Sequence, residues 1–338
     1  MTETGRVDPE LSVYKGRKVL VTGGLGFIGS NLARRLLQLG ADVTIIDALI
    51  PGKGGNTYNI SDCADCIDVH IADLRSAEDV ARLVPGKEII FNLAGSVSHL
   101  DSMANPILDM GLNCEAHLSL LEGCRRHNRE ARIVYTGTRA QYGRPLYLPV
   151  DEKHPQLPID VNGIHKMAAE AYHFLYSRIY GMPVCSLRLT NTYGPRQPMR
   201  DPRHGFINWL LRLALEGQCL PVYGDGQQQR DLNYVEDVVD ALLLAGVAPA
   251  AEGQAFNLGS GRPVTVLEVA RLLIELTDSE RYELVPFPEN ESKIEIGDYY
   301  ADCTKVANVL GWLPRVSLQD GLRRTISFFA EARQHYWG

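Results

Sequence analysis

The stretch Lys18-Val-Leu-Val-Thr-Gly-Gly-Leu-Gly-Phe-Ile-Gly29 decides how the chain is read. Its apolar start reads as a strand that breaks into a turn. There Gly23 and Gly26 let the backbone approach a bound anion, and Gly29 lets the following helix pack closely on the strand. A helix beginning near Gly26, through Phe27 and Ile28, aims its free N–H groups and positive dipole end at the same point, so a dinucleotide pyrophosphate is the expected occupant. Glycine triplets also serve ordinary turns, and it is the flanking pattern that makes this one specific. Leu32, Leu36 and Leu37 continue at helical spacing, Gly40 closes the helix, and Val43 to Asp47 forms a second apolar strand ending on an acid. The Asp47 carboxylate can accept ribose hydroxyls and repels a 2′-phosphate, which favours NAD over NADP.

The same unit repeats downstream. A strand over Ile67 to Ile71 leads to Asp73 and Leu74 at the adenine edge, Ser76 caps a helix to about Leu83, and Glu88 to Leu93 forms a fourth strand. The small residues Ala94, Gly95 and Ser96 follow, where a backbone can meet the cofactor. A long helix from about Pro106 to His127 then leads to a strand over Arg132 to Thr136. Repeated βα units predict an α/β fold with a doubly wound parallel Rossmann sheet and its ligand at the carboxyl ends of the strands. After a helix over Asn162 to Tyr180 and a strand over Val184 to Leu189, the Pro/Gly-rich Tyr193 to Gly205 suggests that the chain leaves this domain. The expected division is 1–190 for the NAD-binding domain, with about 231–258 returning to it. Residues 191–230 and 259–338 form a smaller α/β substrate lobe, with a capping box at Thr265 and Glu268 and a last amphipathic helix over Leu318 to Ala332.

Composition bounds the function classes. With 338 residues, 45% of them apolar, the chain can bury a large core, and a formal charge of 34 minus 41, or −7, without a basic run argues against nucleic acid as partner. No apolar run reaches the roughly 20 residues that a membrane helix needs. The polar Met1 to Glu10 has no signal-peptide core, so the cytoplasm is the expected compartment. Seven cysteines, an odd number scattered along the chain, fit free thiols. Cys63 and Cys66 form a C-x-x-C without a second pair, so no metal site is expected.

With these residues placed, the chain resembles the extended short-chain dehydrogenase/reductase family, in its nucleotide-sugar epimerase and dehydratase branch. The likeness rests on Thr22 to Gly29, Asp47, Asp73-Leu74, Asn92-Leu93-Ala94-Gly95, Tyr142-Gly143 and Arg188 to Arg196. It continues in Tyr223 to Gly226, Arg230-Asp231, Tyr234 to Asp237 and Asn257-Leu258-Gly259. The resemblance implies an NAD domain, a lobe that closes over a nucleoside diphosphate sugar, and a homodimer through two long helices. In that family a Ser or Thr, a Tyr and a Lys four residues beyond the Tyr do the chemistry, the Tyr taking a sugar hydroxyl proton as hydride leaves to NAD. Thr138 and Lys166 match two of these positions, with Lys166 also on the nicotinamide ribose. The Tyr position is Asn162.

An amide has no acid or base form near neutral pH, so Asn162 can orient a hydroxyl but cannot take its proton. Several readings follow. At ~100° per residue His165 and Lys166 flank Asn162 on a helix, so His165 can enter the vacated space. His99, Tyr142 or a bound water are further acceptors. Thr138 and Lys166 can also suffice for a different chemistry, or the protein binds NAD and a nucleotide sugar without turning it over. A second departure is Glu295, where the family's pattern places an Arg on the substrate diphosphate, with Lys293 nearby as compensation. Asn191, Arg196 and Arg230 match substrate-contacting positions, and Tyr142 lies beside them. Arg139 and Ala140 stand where the family's 4,6-dehydratases carry an acid pair, which disfavours dehydration except through a non-standard base and leaves epimerisation, at sugar C4, or simple oxidoreduction, with Arg139 available to an anionic group of the substrate.

Overall fold

The computed structural model describes residues 9–337 except 202, 204, 278 and 280, so most of the polar Met1–Glu10 stretch lies outside it. The first half alternates strand and helix: β1 (Lys18–Thr22), α1 (Phe27–Gln38), β2 (Asp42–Asp47), β3 (Asp68–Ile71), α2 (Ala77–Leu83) and β4 (Ile89–Asn92). Then come α3 (His99–Ala104), α4 (Pro106–Met110), α5 (Ala116–His127), β5 (Arg132–Thr138), α6 (Val161–Tyr180) and β6 (Val184–Leu189). The remaining elements are β7 (Asn191–Tyr193), α7 (Phe206–Leu215), β8 (Leu220–Tyr223), β9 (Gln229–Tyr234), α8 (Val235–Val247), β10 (Ala255–Leu258), β11 (Pro263–Thr265), α9 (Val266–Thr277), β12 (Tyr282–Val285), α10 (Glu289–Ser292), α11 (Thr304–Leu310) and α12 (Leu318–Ala332).

Seven strands form one parallel sheet in the order β10-β6-β5-β4-β1-β2-β3. Helices cover both faces, which is why β4 and β6 are buried end to end and read as unbroken apolar runs. The strand order reverses between β1 and β4, and the carboxyl ends of these strands open the crevice where such sheets bind ligands.

The helix expected from Pro106 to His127 is divided. Asn105 caps α4 with Pro106 in its first turn, and a π-helical turn over Gly111–Glu115 precedes α5. The wide turn buries Asn113, whose Nδ2 donates to Asp109 Oδ2 (2.9 Å) and whose Oδ1 accepts from Ser96 N (3.0 Å). The short α3, absent from the sequence reading, is capped by Ser98 Oγ on Asp101 N.

The second lobe has its own core, where Ile207, Leu211, Val222, Val269, Leu273 and Leu322 pack together around a three-stranded sheet, β11-β9-β7, and the parallel pair β8 and β12. Between these pieces α8 and β10 join the first core. So does α11: Val306, Leu310 and Trp312, assigned by sequence to the smaller lobe, lie against Leu242 and Phe256, with Trp312 Nε1 donating to Asp237 O (2.8 Å).

A buried ion pair holds α6 to the sheet. Arg188 on β6 meets Glu170 at 2.5 Å, and Glu170 also accepts from Ser186 Oγ (2.6 Å) and Gln156 Nε2 (3.0 Å). Burial alone would raise the Glu170 carboxyl pKa, but Arg188 and the two hydrogen bonds outweigh it and hold the group below the usual range. Replacing Glu170 with Gln strands the Arg188 charge in the interior. The expected cost is about 3–5 kcal/mol of folding stability, read from urea denaturation. A loss under about 1 kcal/mol would show that the pair does not fasten this helix.

Candidate active site

One cleft runs from the glycine turn to the second lobe, lined on one side by Gly23, Gly26 to Gly29, Asp47, Asp73, Leu74 and Leu93 to Gly95. The turn admits no side chain at Gly23 or Gly29. Gly23 has φ +65°, and a Cβ there would stand 2.9 Å from Ala94 Cα; one on Gly29 would stand 2.2 Å from Gly23 O. Gly26 caps α1 without a side-chain hydrogen bond, which leaves first-turn N–H groups to a ligand. Thr22 Oγ1 joins the two strand ends, accepting from Leu93 N (3.0 Å) and Ala94 N (3.1 Å) while donating to Asn92 Oδ1 (3.0 Å).

Asp47 accepts Leu25 N on one oxygen (3.0 Å) and Leu49 N on the other (2.9 Å). Each oxygen keeps capacity for a ribose hydroxyl. Burial raises its pKa, with the two backbone N–H groups opposing. Asp73 is held by Arg75 at 2.6 Å at the far end. A turn that a Cβ would fill, an uncapped helix start and an acid at the second strand end together fit NAD.

At the other end the cleft meets Thr138, Arg139, Asn162, Lys166, Asn191 and Arg230. Thr138 ends β5, and its Oγ1 accepts from Ala140 N (3.2 Å), so the hydroxyl proton remains available to a ligand. Lys166 lies in the second turn of α6 and has no hydrogen-bond acceptor for its ammonium among the described residues. Burial pulls its pKa down to about 8, against a smaller opposing pull from Asp109. Arg139 donates through Nε to Asn191 Oδ1 (3.0 Å) and lies over the Tyr299 ring. Its pKa falls to about 10, first through burial and then through the like charge of Arg230. Arg230 is neutralised within the protein: it meets Glu295 at 2.7 Å and the carbonyl of Gly297 at 2.8 Å.

Asn162 is built into the wall. Its Nδ2 donates to Ser96 O (2.9 Å) and Asp109 Oδ2 (3.3 Å), and its backbone N to Ser102 Oγ (3.1 Å). Four residues singled out from the sequence lie outside the cleft lining. His165 does not line the cleft; its Nδ1 is 2.7 Å from the buried Asp109 Oδ1, which commits the ring to that carboxylate. Tyr142 is fully buried behind the cleft, donating to Asn257 Oδ1 (2.6 Å) and accepting from Arg188 (2.7 Å), so it braces β5 rather than reaching a substrate. Arg196 bonds Asn31 Oδ1 (2.9 Å) and lies over Phe328, outside the cleft lining. Lys293, considered as compensation for Glu295, is exposed and pairs with Glu289.

Sequence reasoning missed Asp109 and Asp160. The first gathers Asn113, Asn162 and His165. The second caps α6 through Gly163 N (2.7 Å) and meets His99 Nδ1 at 2.8 Å. An Asp two residues before Asn162 carried a capping signal, but nothing local pointed to His99.

Residues 19–259 match the model of the NAD dependent epimerase/dehydratase family. A UDP-glucose 4-epimerase of Mycolicibacterium smegmatis is 32% identical over 324 residues, covering 94% of this chain and all of that protein. An epimerase structure from Methanothermobacter thermautotrophicus superposes with a TM-score of 0.89 at 30% identity, over 96% of this chain and 95% of that one. The UDP-glucose 4-epimerase of Thermus thermophilus in complex with NAD gives 0.83 at 31%, over 93% and 99%.

The depressed pKa of Lys166 gives the site a pH signature. Below about 8 the ammonium is charged and can donate to a cofactor hydroxyl; above it the charge is lost. NAD affinity, measured by calorimetry, is expected to fall as the pH rises from 7 to 9. Lys166→Met should weaken binding roughly 10- to 100-fold at pH 7, as for a charge-assisted hydrogen bond, and remove the pH dependence. A wild-type affinity that is flat across this range would contradict the assignment.

Proposed function

The chain belongs to the NAD-dependent epimerase/dehydratase family, and we propose that it is a nucleotide-sugar 4-epimerase, or a related oxidoreductase, whose active site works without the usual Tyr. The observation that carries this reading is one cleft with a dinucleotide cradle along one wall and Thr138, Arg139, Lys166 and Asn191 together at its other end. NAD supplies a reversible two-electron acceptor at its nicotinamide.

The residues divide the remaining work. Gly23, Gly26 and Gly29 admit the pyrophosphate, Asp47 orients the adenosine ribose, and Lys166 holds the nicotinamide ribose. Thr138 donates to the reacting sugar hydroxyl and fixes its direction. Arg230 is occupied by Glu295, whereas Arg139 has no carboxylate partner among the described residues and is available to an anionic group of the nucleoside diphosphate sugar. No acid stands at 139 or 140, which disfavours dehydration and leaves inversion at one carbon.

A second reading, a silent binder of NAD and nucleotide sugar, draws on the amide of Asn162, whose Nδ2 is engaged in holding the wall. The two readings part on product. The purified protein with NAD and a panel of UDP-, CDP- and dTDP-sugars is expected to yield a C4 epimer, detected by NMR. Thr138→Val should lower kcat roughly 10- to 100-fold, and Arg139→Met should chiefly raise KM. Ligand-induced thermal stabilisation with no product from any of these sugars would favour the binder.

We also propose a homodimer through α3, α4 and α6, where Met103, Ile107, Met110, Ile164, Leu175 and Ile179 stand exposed. Sedimentation is expected at twice 37.5 kDa. Ile107→Glu with Ile179→Glu should halve that mass, and a wild-type monomer would refute the interface.

A further inference from the structure

We propose that His99, oriented by Asp160, is the proton acceptor that stands in for the missing Tyr. The proposal rests on the epimerase reading above and names the base of that same site.

His99 is the first residue of α3 and lines the cleft with Thr138, Arg139, Asn162 and Lys166. Its Nδ1 lies 2.8 Å from Asp160 Oδ2, and the two side chains are 37% and 6% exposed, so the carboxylate is interior and the ring reaches the cleft. A carboxylate partner keeps a proton on Nδ1. This tautomer follows from the hydrogen bond, and it leaves the Nε2 lone pair, unbonded among the described residues, for a ligand. Asp160 is itself fixed, because its other oxygen caps α6 through Gly163 N.

Asn162 contributes to the same arrangement. Its Nδ2 grips Ser96 O and its backbone N grips Ser102 Oγ, while Ser102 Oγ donates to His99 O (2.7 Å). The segment bearing His99 is therefore tied at both ends to the first turn of α6. The residue that cannot take the proton positions the one that can. The charges facing the ring are accounted for element by element. Asp160 caps α6 and Lys166 belongs to it, Arg139 follows β5, and Asp101 on α3 is already paired with Lys53 (2.9 Å) and Arg203.

In the step assigned to it, His99 Nε2 forms a bond to the hydroxyl proton as the sugar O–H bond breaks. The electron pair left on oxygen becomes the carbonyl π bond, and the hydrogen on that carbon departs with its bonding pair to NAD. The sugar is oxidised by two electrons. The imidazolium then returns the proton when the ketone is reduced from its other face.

Two measurements test this on the NAD-loaded protein. A ¹⁵N-imidazole long-range spectrum, with His99 assigned by its loss in His99→Gln, should show Nδ1 protonated and Nε2 bare at neutral pH. Asp160→Asn, which preserves the helix cap, should mix the tautomers. In the epimerase assay His99→Gln is expected to lower kcat about 100- to 10,000-fold with KM little changed. His99→Asn serves as the second variant, and unchanged NAD binding and melting temperature certify folding. An active wild type with an equally active His99→Gln, or a spectrum with Nε2 protonated and Nδ1 bare, overturns the relay alone. A wild type that converts no sugar nucleotide overturns the epimerase reading and the relay with it.

Discussion

Backbone crowding at the first turn governs the rest of the molecule. The Cβ that Gly29 lacks would lie 2.2 Å from Gly23 O, and the one that Gly23 lacks would lie 2.9 Å from Ala94 Cα. Three segments thus meet at van der Waals distance: the end of β1, the start of α1 and the exit from β4. Their closeness brings the uncapped N–H groups of α1 to the lip of the cleft, where a pyrophosphate can reach them. It also sets where the chain goes next. Leaving β4 through Ala94 and Gly95, the backbone passes within 3.0 Å of the Asn113 side chain and enters the segment that carries His99. One steric constraint therefore locates the cofactor groove and, a few residues downstream, the wall that faces the sugar.

That wall is rebuilt around the amide at position 162. An Asn there can be read as a lost function, yet its hydrogen bonds are directed and complete on the donor side, to Ser96 and to Asp109. Asp109 in turn holds His165 and Asn113, so three side chains share one buried carboxylate. Such a network is costly to leave half made, since each unpaired polar group in the interior forfeits its hydration. The π-helical turn over Gly111–Glu115 is the backbone's share of the arrangement, since it lets Asn113 reach both Asp109 and Ser96.

How much of this was legible follows from the range over which each signal acts. The glycine turn, the acids ending β2 and β3, the Ser76 cap and the amphipathic α12 are written in neighbouring residues, and sequence alone located them. The parallel sheet followed from the alternation of such local units. The charged wall did not. His99 and Asp160 are 61 residues apart, and α3 is too short for any periodicity to announce it. Tyr142 and Arg196 show the converse failure: each stands in a familiar motif, but Arg188 and Asn257 claim one side chain and Asn31 and Phe328 the other. Motif spacing says which residue is present. Packing decides where its polar atoms point.

The electrostatics of the cleft then explain how a chain of net charge −7 can hold an anionic substrate. Lys53 and Arg203 share Asp101 and Arg230 has Glu295, so these cations are spent within the protein. Lys166 and Arg139 are not. Burial lowers the pKa of both, to about 8 and about 10, which is the mark of charge held away from water without a full counter-ion. Each favours a ligand that brings negative charge or lone pairs to it, because pairing relieves a desolvation cost that folding has already incurred. Attraction is thus concentrated at two points, one at Lys166 and one at Arg139 beside Thr138. A ligand that satisfies both must span the boundary between cofactor and sugar, which is where the hydroxyl, the acceptor nitrogen of His99 and the reactive ring have to meet.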